Sequence, residues 1–297
     1  MNSARLKSLI KNQNTNISFE EYRVRYATER FLARIQESNY KDKLILKGGF
    51  LLGTIFKVDQ RTTKDLDTLI REMNANRESV QTMIQNIIDV DLQDGVEFNL
   101  LQLIDSQQER IYMGFKAKLE MKFLSEKTVI KFDLDLGVGD TITPEAQRID
   151  IPLLFNEKKD EKETITLLAY PLETILAEKT EIILDLGTKN SRMKDFYDIH
   201  LILNDPRLPH IDKLYEAFKN TWNFRHTLLN IDDEQFEDWY FIIEEISNDK
   251  DMAGKMWSNY IKDREYAHGL NFKLIVKEFE NHLKNLHVVY KKTAPKT

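Results

Sequence analysis

Two glycines and a pair of aspartates, with fifteen residues between them, constrain this chain more than any other feature. Gly48-Gly49 closes a short apolar run of Leu44, Ile45 and Leu46, and the acids sit inside a second run, Asp65-Leu-Asp-Thr-Leu-Ile70. Side chains alternate faces along a strand, so Asp65 and Asp67 project from one face, two residues apart. Carboxylates held that close repel one another unless a positive charge lies between them. A divalent cation is the usual answer, and Mg²⁺ in particular sits between a few carboxylates and the phosphates of a substrate. The pattern points to phosphoryl or nucleotidyl transfer.

A third acid strengthens that expectation. In Ile130-Lys-Phe-Asp-Leu-Asp-Leu-Gly137 the apolar Ile130, Phe132, Leu134 and Leu136 share one face, and Lys131, Asp133 and Asp135 share the other. Such a segment is also what an edge strand with one wet face looks like. If it neighbours the Asp65–Ile70 strand, three or four carboxylates converge, enough to hold metal ions that activate a hydroxyl and stabilise a leaving pyrophosphate. The glycines have a separate physical role: without a Cβ, their backbone N–H groups approach phosphate closely, and a helix starting there adds its dipole. No Gly-x₄-Gly-Lys-Ser/Thr is present, which excludes a P-loop.

At 297 residues the chain can bury a sizeable core and is expected to divide in two. Its 41% hydrophobic and 31% charged residues place it with soluble globular proteins. No run approaches the roughly 18 apolar residues of a membrane span, and the first residues lack the apolar core of a secretion signal. The absence of cysteine removes disulfides, thiolate zinc sites and cysteine nucleophiles together. The six histidines show no metal-ligand spacing, which leaves a zinc hydrolase without support. These features predict a cytoplasmic enzyme. Residues 1–70 hold 13 lysines and arginines against 8 acids, whereas 231–251 hold nine acids and one lysine. The arginines of the basic part (Arg23, Arg25, Arg30, Arg34) are candidates for meeting a nucleic-acid backbone. Ordinary solvated helix faces are the alternative.

Residues 19–38 read as a helix opened by a capping box of Ser18 and Glu21. A strand at 44–46, a helical turn at 50–56, the Asp65–Ile70 strand and a helix at 79–90 follow. Residues 96–136 fit three strands, and 153–162 look like an irregular charged connection. Beyond Pro171 helices are expected at 171–186, 192–203, 211–219, 234–247 and 268–286, with Trp222, Trp239 and Trp257 in their core. The architecture is an α/β half at 1–168 that holds the acids and a helical half at 169–297.

Lys179 is the oddity of the helical half. It shares a face with Ile175, Leu176, Ile182 and Ile183, where an ammonium without a partner is costly. It either snorkels to the edge or meets an anion, a nucleotide phosphate or a carboxylate. The next segment, Asn190-Ser-Arg-Met-Lys-Asp-Phe-Tyr-Asp198, offers Ser191 as N-cap and spaces Arg192, Asp195 and Asp198 along one helical face. Arg192 and Asp195 form an ion pair in the plain reading. In the functional one Arg192 or Lys194 binds phosphate, and Asp195 orients Lys179 or acts as a base.

Five elements in order resemble the AbiEii/AbiGii-type nucleotidyltransferase toxins of the DNA-polymerase-β-like superfamily. They are Leu46-Lys-Gly-Gly49, Arg61-Thr-Thr-Lys-Asp-Leu-Asp67, Asp135-Leu-Gly-Val-Gly-Asp140, Glu178-Lys179 and Asn190-Ser-Arg-Met-Lys-Asp-Phe-Tyr-Asp198. The entry helix Tyr26-Ala-Thr-Glu-Arg-Phe-Leu32 extends the resemblance to roughly residues 5–205. It implies an α+β chain, with a polymerase-β-like domain of mixed sheet and helices followed by a helical domain. It also implies a toxin of a type IV toxin–antitoxin or abortive-infection phage-defence system, transferring nucleotides from an NTP to RNA such as the tRNA 3′ acceptor end. On this resemblance Asp65, Asp67 and Asp135 hold Mg²⁺, and Gly48 and Gly49 cradle phosphate. Lys179 contacts the triphosphate, Arg61, Arg192 and Lys194 flank the nucleotide, and Asp195 is the remaining catalytic acid. A separately encoded antitoxin is the implied partner, with or without direct binding, and a monomer is expected. Many nucleotidyltransferases have Gly-Ser where this chain has Gly48-Gly49 and Phe50, so the phosphate contact falls to backbone groups. Two other readings stand beside this one: the same fold modifying a protein or small molecule, and a silent protein that occupies RNA or antitoxin.

Overall fold

The computed structural model describes residues 1–13, 17–57, 65–107, 113–124, 126–156, 163–226 and 231–294. They form an α+β structure of two compact units, Met1–Asp140 with Ala146–Ala169, and Thr141–Glu145 with Tyr170–Thr297.

The first unit runs α1 (Ser3–Lys11), α2 (Phe19–Glu37), β1 (Leu44–Lys47), α3 (Gly48–Phe56), β2 (Asp65–Ile70), α4 (Arg77–Ile88), β3 (Val96–Gln107), β4 (Met113–Phe123), β5 (Val129–Val138), β6 (Gln147–Pro152) and β7 (Thr164–Ala169). The expected capping box opens α2: the Glu21 amide donates to Ser18 Oγ at 3.2 Å, and the Ser18 amide donates to Glu21 Oε2 at 2.9 Å. The strands make one mixed sheet in the order β3-β4-β5-β2-β1-β7-β6. β2 runs antiparallel to β1 and parallel to β5, and β1 runs parallel to β7. β5 is therefore an interior strand, not the edge strand its alternation also allowed. The apolar face of β5 packs on α2, where Phe31, Phe98 and Phe132 meet with ring centroids 5.8–6.2 Å apart. That leaves the acidic face of β5 turned away from the helix, as its period of two requires.

The structure adds two strands, β6 and β7, to those the sequence pattern predicts. β6 buries Ile151 alone among its residues, so it has little alternation to read, and its place at the sheet edge suits the terminal Pro152. The irregular connection expected at 153–162 lies partly outside the described residues.

The second unit is helical: α5 (Leu172–Leu186), α6 (Met193–Leu203), α7 (Ile211–Arg225), α8 (Asp233–Asn248), α9 (Trp257–Lys262) and α10 (Phe272–Thr293). Trp222, Trp239 and Trp257 are buried in it, and Phe218, Trp222 and Trp239 contact one another. The N-cap of α6 is Arg192 rather than the expected Ser191. The side-chain oxygen of Asn190 accepts the Arg192 amide at 2.8 Å, and the Ser191 carbonyl accepts the Met193 amide at 3.1 Å. A backbone turn closes the helix end, so no serine hydroxyl is needed there.

Candidate functional site

Register decides what the acidic strands can do. β2 and β5 run parallel with Asp65 opposite Asp133 and Asp67 opposite Asp135, which sets four carboxylates side by side on one face of the sheet. Asp65, Asp133 and Asp135 are between a third and a half exposed, open to a ligand. Burial lifts the Asp135 carboxyl above its ordinary value; Lys116 pulls it back, and the charges of Asp67 and Asp65 push it up again.

The glycines stand against this face. β1 places Lys47 opposite Asp67, and α3 begins at the next residue, Gly48, with Gly49 in its first turn. Gly48 has φ +71°, and a Cβ built there would lie 2.0 Å from Asp67 Oδ2, 2.5 Å from its Cγ and 2.7 Å from its Cβ. A side chain and the Asp67 carboxylate cannot share this space, so glycine is required twice over. The N-cap residue of α3, Lys47, makes no side-chain capping bond, and this helix N-terminus, with its positive dipole end, lies next to the Asp67 carboxylate. Lys47 forms an ion pair with Asp140 at 2.5 Å, which closes the segment after β5 onto β1.

Lys116 of β4 is the member that sequence reading missed. Its Nζ lies 3.2 Å from Asp133 Oδ2, 3.5 Å from Asp135 Oδ1 and 3.8 Å from Asp65 Oδ1. Burial alone would lower its ammonium, but the hydrogen bond to Asp133 and the charges of Asp135 and Asp65 hold it above its ordinary value. The alternation of β5 sets Asp133 beside Asp135 without marking it as a ligand. The signal for both is the pairing of β4 with β5, which sets Lys116 opposite Asp135.

In the second unit Lys179 has found its anion, and it is carboxylate. Its Nζ lies 2.8 Å from Asp195 Oδ1 and 2.6 Å from Asp198 Oδ2, both acids of α6 being fully buried. Arg192 Nε pairs with the other oxygen of Asp195 at 3.0 Å. Burial pushes the Asp195 carboxyl up, but the charges of Lys179 and Arg192 outweigh it and hold the group below its ordinary value. A carboxylate held low is a poor proton acceptor, so Asp195 is suited to orienting Lys179 rather than to acting as a base. Asp198, named only for its spacing, is an equal partner of the lysine. Lys194 lies in the first turn of α6 and is exposed. Arg61 lies outside the described residues.

Of the four arginines of the basic N-terminal part, Arg30 and Arg34 are buried and cannot meet a nucleic-acid backbone. Arg34 is buried and clamps Asp94 with both terminal nitrogens at 2.9 Å; Arg30 joins the same carboxylate at 3.0 Å. Arg25 pairs with buried Glu29 at 2.6 Å, and Arg23 with Glu20 at 2.7 Å. The charges of Arg30 and Arg34 are spent inside the fold, because α2 runs through the core and its buried side chains need internal partners, whereas the Arg23–Glu20 pair lies on the surface.

One histidine does join a cluster with metal-ligating atoms. Glu181 and Asp185 of α5 and His226 after α7 bring ligand atoms within 4.8 Å of one another, a grouping their spacing hid. His226 Nε2 is 2.7 Å from Glu181 Oε1, but Arg225 holds the other oxygen of Glu181 at 2.6 Å. Burial raises the Glu181 carboxyl, and its bonds to His226 and Arg225 reverse that and hold it low. Arg225 cannot ligate a metal and its charge opposes a cation, so the group reads as an ion-pair knot tying α7 to α5.

A mixed sheet that lines up acids on adjacent strands, beside a glycine-opened helix, suits metal-assisted chemistry at phosphate. The family model described as "Nucleotidyl transferase AbiEii toxin, Type IV TA system" matches residues 30–281, and the chain belongs to that family. It is a nucleotidyltransferase toxin of a type IV toxin–antitoxin system, and membership implies an NTP substrate and a cognate antitoxin. No curated protein matches the chain. Among solved structures, JHP933 from Helicobacter pylori is similar at 11% identity and a TM-score of 0.46, covering 94% of this chain and 96% of that one. A protein of H. pylori provisionally described as a nucleotidyltransferase is similar at 11% identity and a TM-score of 0.48, covering 94% of this chain and 100% of the other. No helix among the described residues is long and apolar enough to cross a membrane.

Proposed function

We propose that the chain transfers a nucleotide from an NTP to RNA, with the tRNA 3′ acceptor end as acceptor, in a Mg²⁺-dependent reaction that blocks growth. The observation that carries the transfer chemistry is the in-register acidic pair of strands with Gly48 packed against Asp67. The donor set fits the ion: carboxylate oxygens from adjacent strands are the hard ligands Mg²⁺ takes, with room for water and phosphate. Asp65, Asp67 and Asp135 would hold it, and when bound it would neutralise charge on the reacting phosphates. Gly48, Gly49 and the amides opening α3 cradle phosphate through backbone donors. On the family resemblance Lys179, held by Asp195 and Asp198, is the candidate to contact the triphosphate, and Arg61, Arg192 and Lys194 are candidates to flank the nucleotide. Positioning and charge neutralisation carry such a reaction more than covalent chemistry does.

Support for RNA as acceptor comes from the family resemblance and not from Arg23, Arg25, Arg30 and Arg34. The burial of Arg30 and Arg34 on Asp94 favours a second reading, the same transfer chemistry aimed at a protein or small molecule. Incubating the purified protein with total tRNA, Mg²⁺ and each α-³²P-labelled NTP in turn separates the two. The Asp65→Ala/Asp67→Ala variant runs alongside. Label on tRNA with one NTP, absent from the variant, establishes the acceptor class and names the donor. Transfer to nothing in the tRNA pool refutes RNA as substrate and turns the search to proteins and small molecules.

A further inference from the structure

A site meant for a divalent cation already contains a positive charge. Lys116 reaches from β4 to three of the four carboxylates, each within 3.8 Å of its ammonium, and its side chain is about one-third exposed. β4 lies on the far side of β5 from β2, so the lysine comes in over Asp135 from the neighbouring strand and is not part of the acidic pattern itself. An ammonium on a flexible four-carbon stem is a compact cation that can leave as readily as it arrives. While it stays, it sits beside Asp65 Oδ1 and Asp135 Oδ1, on two of the three acids a metal ion would need, and its charge opposes a second cation there.

We infer that Lys116 is a resident counter-ion of the carboxylate cluster, and that a divalent cation loads by displacing it. Lys116 thereby sets the cation affinity of the site and makes loading depend on the triphosphate. Without nucleotide, the lysine holds the acids together and keeps the ion weakly bound. With nucleotide, the phosphates bring further oxygen ligands and negative charge, tipping the balance toward the metal and freeing Lys116 to face the substrate's own charge. The ion is therefore taken up with the NTP rather than ahead of it. This inference rests on the reading of Asp65, Asp67 and Asp135 as the metal-holding acids.

The test is Mn²⁺ binding read by the electron paramagnetic resonance signal of the free ion. It is measured on the full chain without nucleotide, and then with an α,β-methylene analogue of each of the four NTPs in turn. The Lys116→Met variant should bind Mn²⁺ without nucleotide at least roughly tenfold more tightly than the unmodified chain, as expected for removing a unit charge about 4 Å away. Lys116→Arg, which keeps the charge, should stay near the unmodified affinity, and the gap between Lys116→Met and the unmodified chain should narrow once nucleotide is present. In chelator, Lys116→Met should melt lower than the unmodified chain and regain the difference on adding Mn²⁺. Should Lys116→Met not fold, Lys116→Gln replaces it. Equal or weaker Mn²⁺ binding by the neutral variant overturns the inference and leaves the metal site standing. Mn²⁺ binding that is absent from every variant, or that survives in Asp65→Asn/Asp67→Asn, instead refutes the reading of the carboxylates on which the inference rests.

Discussion

Replacing Gly48 by alanine puts the geometry of the acidic face under the most direct stress. The new methyl carbon would start 2.0 Å from Asp67 Oδ2 and 2.7 Å from Asp67 Cβ. Turning the carboxylate away relieves the first contact but not the second, because the Cβ is fixed by the β2 backbone. A left-handed φ costs an L-residue about 1–2 kcal/mol, and forcing a methyl into filled space costs about 1–3 kcal/mol. Gly48→Ala should therefore destabilise the chain by about 2–5 kcal/mol and lower its melting temperature by roughly 5–15 °C. The loss should fall on function as well, since Asp67 is the residue displaced. Mn²⁺ affinity should drop, and transfer activity should fall by at least roughly a hundredfold. Thermal melting of a double-mutant cycle with Asp67→Gly isolates the contact, because glycine at 67 removes all three clashing atoms. In that background the cost of Gly48→Ala should shrink to the backbone cost alone, about 1–2 kcal/mol. A Gly48→Ala protein as stable as the unmodified one, or an unchanged cost beside Asp67→Gly, would refute the reasoning.

Arg34→Met takes the two-pronged partner from the buried Asp94 carboxylate, which keeps Arg30 at 3.0 Å, and should cost about 1.5–3 kcal/mol in a denaturant titration. RNA binding measured on the folded fraction should not change; a selective loss of RNA binding would restore the arginines as a contact surface. His282 of α10 is buried, and burial lowers its imidazole to about 4 from the ordinary 6.5. The folded state thus binds its proton more weakly than the unfolded state. Its stabilisation is complete above pH 6.5 and fades as pH falls toward 4, by about 3 kcal/mol in all. Melting curves across pH 4–7 should show that slope in the unmodified chain and lose it in His282→Gln; equal slopes in the two proteins would reject the assignment.

Local pattern made much of this protein legible. β2 follows its predicted span, Asp65–Ile70, because period-two alternation and flanking polar residues are properties of a few consecutive positions. The capping box of α2 is equally local, set by residues three apart. The inward face of β5 was readable for the same reason, as was the strain on Lys179 in an apolar stripe, since both need only a helical or strand period.

What the sequence by itself determined is thus the kind of element each segment forms and which side chains share a face, since periods of 2.0 and 3.6 are set within one segment. Tertiary structure alone decided which faces meet. It made β5 the parallel neighbour of β2, turning two acidic pairs into one cluster, and it brought Lys116 across from β4. It buried Arg30 and Arg34 on Asp94, sixty or more positions away, converting an apparent basic surface into internal ion pairs. It gave Lys179 to Asp195 and Asp198. Charge has no period: a lysine or arginine reads the same in sequence whether it faces water, a phosphate or a buried carboxylate, and only the pairing of distant segments chooses among them.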